Sequence, residues 1–268
     1  MTFDMDQYLR EVLSLAPERP YAEIAQLASV ASASPAQHRE AFSALLARKI
    51  EPLCGWVISP EVKEGHAADL ERIAKDLTDQ PDAYYTSKND VMIKDLALAV
   101  GLLVGTRYAV LANSGVPRSW MLRGGVTAWP GNLAVLGSVF GFDSFLEVHM
   151  HERSQRVTAT TWQRIIVMCA GLMNLNRSIR GLMGSSWFFD PNVATVSPHL
   201  GYLHGFPAAG GAKFFNLGTS AQAVALATTA SKARRALYDE GKYLPIHFGF
   251  VWPRHQVIAW ARAESKAA

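Results

Sequence analysis

The sequence predicts an α/β protein: a mixed, partly parallel sheet with flanking helices, plus a helical N-terminal region. Three observations predict it. Residues 1 to about 80 contain four stretches, DQYLREVLSL, YAEIAQLASVASA, PAQHREAFSALLARKI and PEVKEGHAADLERIAKDL, with apolar residues at spacings of three and four. That is the period of a helix with one buried face. Further along, short runs rich in β-branched and aromatic residues alternate with helical stretches, the order of a sheet with crossover helices. Between the two zones, TDQPDAYYTSKND is polar and rich in turn formers, which divides the chain into a helical region, 1–80, and an α/β domain, 81–268.

The elements follow in order. Pro35 and Pro60 stand where a first helical turn tolerates proline, with Ser34 and Ser59 before them as N-caps. DLALAVGLLV fits either a buried helix or a strand. RYAVLA and SWMLRG are expected as strands around a turn at NSGVP, RGGVTAWPGN as a loop and NLAVLGSVFGF as a helix. SFLEVHMHE alternates as a strand, and TATTWQRIIVMCAGLMNL is helical. IRGLMGSSWFFD is expected as a strand that stops at Asp190-Pro191. NVATVSPHLGYLHGF is helical around Pro198, and AKFFNLG is a strand. SAQAVALATTASKARRALYDEGKY is expected as one long helix ended by Gly241, followed by the strand IHFGFVWP and the helix HQVIAWARAE.

Composition narrows the function classes. The 268 residues are 49% hydrophobic and 18% charged, which suits a packed globular protein and argues against disorder. The net charge is +3 with basic residues scattered, so no nucleic-acid footprint is expected. The two cysteines, Cys54 and Cys169, stand in unrelated contexts and point to a reducing cytoplasm. The N-terminus lacks the basic-then-apolar order of a secretory signal. The longest apolar run, from Leu96, is about half of a membrane span.

Chemistry concentrates in a few stretches. In SFLEVHMHE, Leu146, Val148 and Met150 point one way, and Glu147, His149 and His151 the other. In a sheet with parallel neighbours, the strand's C-terminal end is where ligands bind. His149 and His151 lie roughly 6.6 Å apart along the strand. With a third ligand from His247, Asp190 or Glu147 they would suit iron or another transition metal and oxygen chemistry. Alternatively one of them acts as a base, or both face solvent. In GSSWFFDP an extended chain puts Ser185, Trp187 and Phe189 on one face and Ser186, Phe188 and Asp190 on the other. Asp190 caps the next helix or ligates a metal. Tyr202 packs in a core or serves as a general acid. Lys232, Arg234 and Arg235 complement a helix C-terminus, or one of the two arginines holds a phosphate or carboxylate. Arg118, after the NSGVP turn, is an anion contact or a solvated residue.

From SFLEVHMHE onward, the order of GLMGSSWFF, YLHGF, AKFFNLG and HFGFVWP resembles the core of the GCN5-related N-acyltransferase (GNAT) fold. The resemblance implies a strand carrying the base, Glu147 or His149, and a splayed strand GLMGSSWFF that admits an acyl donor beside Ser185, Ser186 and Trp187. It also implies that Tyr202, just before Gly205 and Phe206, is the general acid. The family's glycine-rich pyrophosphate loop falls at ERSQRVTATTW, which has no glycine; Arg153, Arg156 and the helix N-terminus near Thr158 stand in its place. The autoinducer-synthase branch of the fold also lacks that loop and takes acyl groups from a carrier protein. The expected enzyme therefore moves an acyl group from acyl-CoA or acyl-carrier protein to an amine of a small molecule. The alternatives are a metal-dependent enzyme of small-molecule biosynthesis, and a non-catalytic partner that docks through its N-terminal helices. GSSWFFDP and SPHLGYL also resemble a bacterial protein family without assigned activity.

Overall fold

The computed structural model describes residues 56–79, 101–104, 109–121, 129–138, 144–150 and 158–267. The chain divides into two compact units, Met1–Asn113 with His149–Val157, and Ser114–Val148 with Thr158–Ala268. The expected helices before residue 56 lie outside the described residues.

In the first unit, α1 (Pro60–Asp79) begins at the proline the sequence marks. Proline at the first position loses no hydrogen bond, because that N–H has no intrahelical acceptor. The Ser59 carbonyl accepts from Lys63 N–H at 3.0 Å. The inward face carries Val62, His66 and Asp69, all buried. Asp69 accepts from Arg72 Nε at 3.0 Å. Burial lowers the His66 pKa from 6.5 to about 4, against the pull of the Asp69 carboxylate. α1 packs on β1 (Gly101–Val104), which pairs antiparallel with β2 (Ala109–Ser114). The undecided run from Leu96 thus ends as a strand.

The second unit opens with a 3-10 turn, Arg118–Met121, where a strand was expected. Pro117 accepts from Trp120 N–H at 2.9 Å, and the turn drives the indole into the core. α2 (Trp129–Ser138) starts inside the stretch expected as loop, with Pro130 in its first turn. β3 (Phe145–Met150) is followed by α3 (Ala159–Leu175) and β4 (Gly181–Ser186). Thr158 caps α3, its Oγ1 accepting from Thr161 N–H at 3.2 Å. After β4 come α4 (Val193–Val196), α5 (Gly201–Ala209) and β5 (Lys213–Asn216). α6 (Ala221–Thr228), α7 (Lys232–Asp239), β6 (Phe248–Pro253) and α8 (Arg254–Ala267) complete the chain.

The long helix expected over α6 and α7 is therefore two. Thr228 and Thr229 hydroxyls donate back to the Val224 and Ala225 carbonyls, at 2.8 and 2.6 Å. Ser231 Oγ then caps α7 by accepting from Arg234 N–H at 3.3 Å. Hydroxyl side chains that compete for backbone groups end one helix and start another. Gly241 closes α7 with φ +68°, as its place in the sequence predicts.

Within this unit the strands lie in the order β3-β4-β6-β5, with β3 and β4 parallel and the other pairs antiparallel. The expected mixed, partly parallel sheet is present. A parallel pair needs a crossover, and α3 supplies it, burying Trp162, Ile165, Ile166, Cys169 and Met173. Register assigns the faces. Phe145, Glu147, Met183, Ser185, Val251, Gly249 and Phe215 share one; Leu146, Leu182, Trp252 and Phe250 share the other. The first face builds a core from Phe145, Met183, Val251 and Phe215 with Val116, Trp120 and Leu217. Trp120 lies flat enough on Gly249 that a Cβ there would strike its ring. Among the described residues, no helix is long and apolar enough to cross a membrane.

Candidate functional site

Polar residues gather where the first face runs past its core. Glu147 sits in register with Met183 and is half-buried. Two residues further along β4, Ser185 is exposed, opposite Gly249. His247 precedes β6 by one residue. The extended ladder includes it: His247 N–H donates to the Gly218 carbonyl and Leu217 N–H to the His247 carbonyl, both at 2.8 Å. Alternation then puts His247 on the face of Gly249 and Ser185. Diagonal neighbours on adjacent strands stand roughly 7–8 Å apart. Three polar side chains from three strands thus share one stretch of this face, with Ser185 exposed, Glu147 and His247 half-buried and the His247 Nε2 atom itself buried.

The patch lies at the C-terminal end of the parallel pair. Among the described residues the β3–β4 ladder covers Phe145↔Gly181, Leu146↔Leu182 and Glu147↔Met183, half of each strand. The Val148 carbonyl still lies beside Gly184, 3.5 Å from where a Cβ would stand, so any separation of the strands begins at Ser185. His149 follows on β3, half-buried. His151, Glu152, Arg153 and Arg156 lie outside the described residues.

Tyr202 lies elsewhere. It stands in the first turn of α5, its ring 6.1 Å from that of Phe206. Phe206 leads to Trp260 at 5.6 Å, and Trp260 to Trp252 at 5.5 Å. Trp252 belongs to the second face, so the sheet separates Tyr202 from Glu147. Burial raises the Tyr202 pKa.

Behind β4 is a second, buried polar group. The strand was expected to continue to Asp190 but ends at Ser186, because Ser186 Oγ accepts from Phe188 N–H at 3.3 Å and turns the chain into a 3-10 turn, Trp187–Phe189. The predicted alternation therefore fails beyond Ser186: Trp187, Phe189 and Asp190 are all buried. Asp190, fully buried, shapes the approach to α4. Its Oδ1 accepts from Asn192 N–H and its carbonyl from Val193 N–H, both at 2.9 Å. Oδ2 makes no hydrogen bond. Burial raises the Asp190 pKa, opposed by the backbone N–H groups of Asn192 and Ile246, the Asn192 side chain and His204. His204 Nδ1 donates to the Phe189 carbonyl at 3.0 Å.

Tyr243 and Arg234 complete the group. The Tyr243 hydroxyl is buried without a partner, and its pKa is pushed up to about 12, by burial first, then by Asp190, against Arg234. Arg234 and its neighbours were expected in the last turns of a long helix; they occupy the first turn of α7 instead. Only 6% exposed, Arg234 donates Nε to the Ala227 carbonyl at 2.6 Å and Nη1 to Ser197 Oγ at 3.0 Å. Its guanidinium lies 4.7 Å from the centre of the Trp187 ring. The cation thus closes the C-terminal end of α6 and rests on an aromatic face. Burial lowers its pKa, while Tyr243 opposes. Arg235 turns outward and pairs with Asp239 at 2.9 Å. Sequence patterning did not single out Tyr243, since a lone tyrosine after a helix stop carries no periodic signal.

Among the described residues, no three His, Cys, Asp or Glu side chains are arranged to hold a metal ion; His151 of the expected set lies outside them. Cys169 is buried in α3. No protein-family model, curated protein or solved structure matches the chain.

Proposed function

We propose that the chain is an acyltransferase-like enzyme that moves an acyl group from CoA or a carrier protein to an amine of a small molecule. One observation supports this above the rest: among the described residues the β3–β4 register covers Phe145–Glu147 and Gly181–Met183, and Glu147, Ser185 and His247 share one face at and just beyond its end. Strand ends of a parallel pair are where sheets of this class receive ligands.

In this scheme Glu147, or His149 beyond it, accepts a proton from the substrate ammonium. The freed amine attacks the thioester carbonyl, the C–S bond breaks, and the leaving thiolate takes up a proton. Ser185 is free to meet the acyl carbonyl. Ser186 and Trp187 fit a substrate role less well, because Ser186 Oγ is engaged by Phe188 N–H and Trp187 is covered by Arg234. Tyr202 serves as the acid only where the thioester threads past the last laddered pair, since Glu147 and Tyr202 lie on opposite sides of the sheet.

The test is titration of the full-length chain with acetyl-CoA, a long-chain acyl-CoA and an acyl-carrier protein, followed by thiol release with a panel of amines. Binding of one donor and amine-dependent thiol release are expected. Failure of all three donors to bind ends the proposal.

A further inference from the structure

We propose that Arg177, Arg180 and Arg254 form a binding site for the phosphate group of a small molecule, at the end of the sheet opposite the patch of Glu147, Ser185 and His247. The inference does not depend on acyl transfer.

Hydrogen bonds bring the three arginines together. Arg254 N–H donates to the Arg180 carbonyl at 2.8 Å. This bond carries the Gly181↔Pro253 register one residue further and sets Arg180 across from Arg254. Alternation gives both the face of Leu182 and Trp252. Arg254 then reaches the end of α3, where its Nη1 donates to the Asn176 carbonyl at 3.0 Å. That carbonyl belongs to the peptide bond of Arg177, so the Arg254 guanidinium lies against the turn that carries Arg177. Ile179 N–H closes the turn on the same carbonyl at 3.2 Å. Arg177 and Arg180 are exposed and Arg254 is half-buried. Arg180 stands five residues before Ser185, roughly 16 Å along extended chain, so the two sites are separate.

Solvated arginines are ordinary, but like charges set opposite each other without a counter-charge are not. Cross-strand cations repel and destabilise the pairing. α8 opens with Arg254 and has no acidic residue in its first turn, so the cation also stands at the positive end of the helix dipole. The Asn176 carbonyl offsets part of that cost with one hydrogen bond. No carboxylate does. From Thr158 to Ala268 the sequence holds eleven Lys and Arg but only four Asp and Glu. All four are engaged elsewhere: Asp190 with Asn192, Asp239 with Arg235, Glu240 with Lys242 and Glu264 with Gln163. Among the described residues, Arg177, Arg180 and Arg254 form no ion pair. An oxyanion supplies the missing charge, and guanidinium forks match the geometry of phosphate oxygens. Three cations outweigh a single carboxylate, which favours a phosphate dianion. Three arginines are also a footprint for one phosphate, not for the run of phosphates along a nucleic acid.

The experiment is thermal unfolding of the full chain in inorganic phosphate, glycerol phosphate or sodium chloride at matched ionic strength, so that screening of the arginines is common to all three. Inorganic phosphate or the ester is expected to raise Tm above its value in chloride, saturably and by about 3–5 °C at ten times the dissociation constant. Arg180→Ala should lose that increment, whereas Arg235→Ala, at an exposed arginine elsewhere, should keep it. Phosphates no better than chloride, or the same increment in Arg180→Ala, overturn the proposal. So does binding to phosphatidylcholine vesicles carrying phosphatidic acid without any response to the two soluble phosphates, which would make the cluster a membrane contact. Should Arg180→Ala not fold, the arginine Nε–H resonances of the wild type decide. Saturable shifts at Arg180 and Arg254 on adding phosphate support the site, and shifts spread evenly over the exposed arginines overturn it.

Discussion

The open patch of Glu147, Ser185 and His247 and the buried group of Asp190, Tyr243 and Arg234 use the same kinds of side chain under opposite conditions. The patch is built by alternation: residues two apart on extended strands face one way, and the face reaches solvent at Ser185. The buried group is built by turns that break alternation at Ser186 and helix periodicity at Thr229–Ser231. In the buried group, desolvation dominates every shifted pKa. Polar residues at the strand end stand partly in solvent, whereas those behind it are taken out of water.

The contrast can be broken or sharpened by substitution. The largest effect is expected for Glu147→Gln: a loss of roughly 10²–10⁴ in kcat for acyl transfer, with the unfolding midpoint nearly unchanged. A change confined to stability would place Glu147 among structural residues. Next, Arg234→Ala should destabilise by about 3 kcal/mol in denaturant titration, since it strips the α6 terminus, Ser197 and the Trp187 face of their shared partner. An effect no larger than that of a surface arginine would dissolve the distinction between the regions.

The pH dependence has two arms of opposite sign. His66 titrates lower in the folded state than in the unfolded one, so the unfolded state binds more protons between about pH 4 and 6.5. Stability in that unit should fall as pH drops through this window, by at most about 3 kcal/mol. Asp190 is shifted the other way, so its contribution is fully present below the unfolded value and is lost as pH rises through the folded one. Unfolding curves of His66→Gln against pH separate the arms: the acid-side slope should shrink while the Asp190 response persists.

Smaller effects test the packing under the patch. Gly249→Ala should cost about 1–3 kcal/mol, because a methyl group there meets the Trp120 ring. Arg235→Ala, which removes an exposed pair with Asp239 and a contact 5.8 Å from the centre of the Tyr238 ring, should change stability by about 0.5–1 kcal/mol or less. If Arg235 proved as costly as Arg234, burial would not be what distinguishes the two neighbours.

Much of this architecture was legible residue by residue. Pro60 marked the start of α1, Thr158 the start of α3 and Gly241 the end of α7, because caps and φ preferences are local properties. The alternation foretold that Leu146 and Val148 are buried, but not that the opposite face, through Phe145, Met183, Val251 and Phe215, builds a core as well. Asp190 and Arg234 drew notice as ionisable residues, but for metal ligation and anion binding or helix-dipole roles respectively; their burial beside Tyr243 had no signature.

What the sequence by itself determined is therefore the local grammar: which stretches are helices and strands, where most begin, and that the sheet is mixed. Tertiary structure alone decided that Arg118–Met121 turns where a strand was expected, because the Trp120 indole is buried over Gly249. It alone set Tyr202 and Glu147 on opposite sides of the sheet. It alone brought Asp190, Tyr243 and Arg234, distant in sequence, into one dry site. The physical reason is common to all three. Propensity and capping act over a few bonds, whereas burial depends on which surfaces meet, and desolvation is a property of the meeting place.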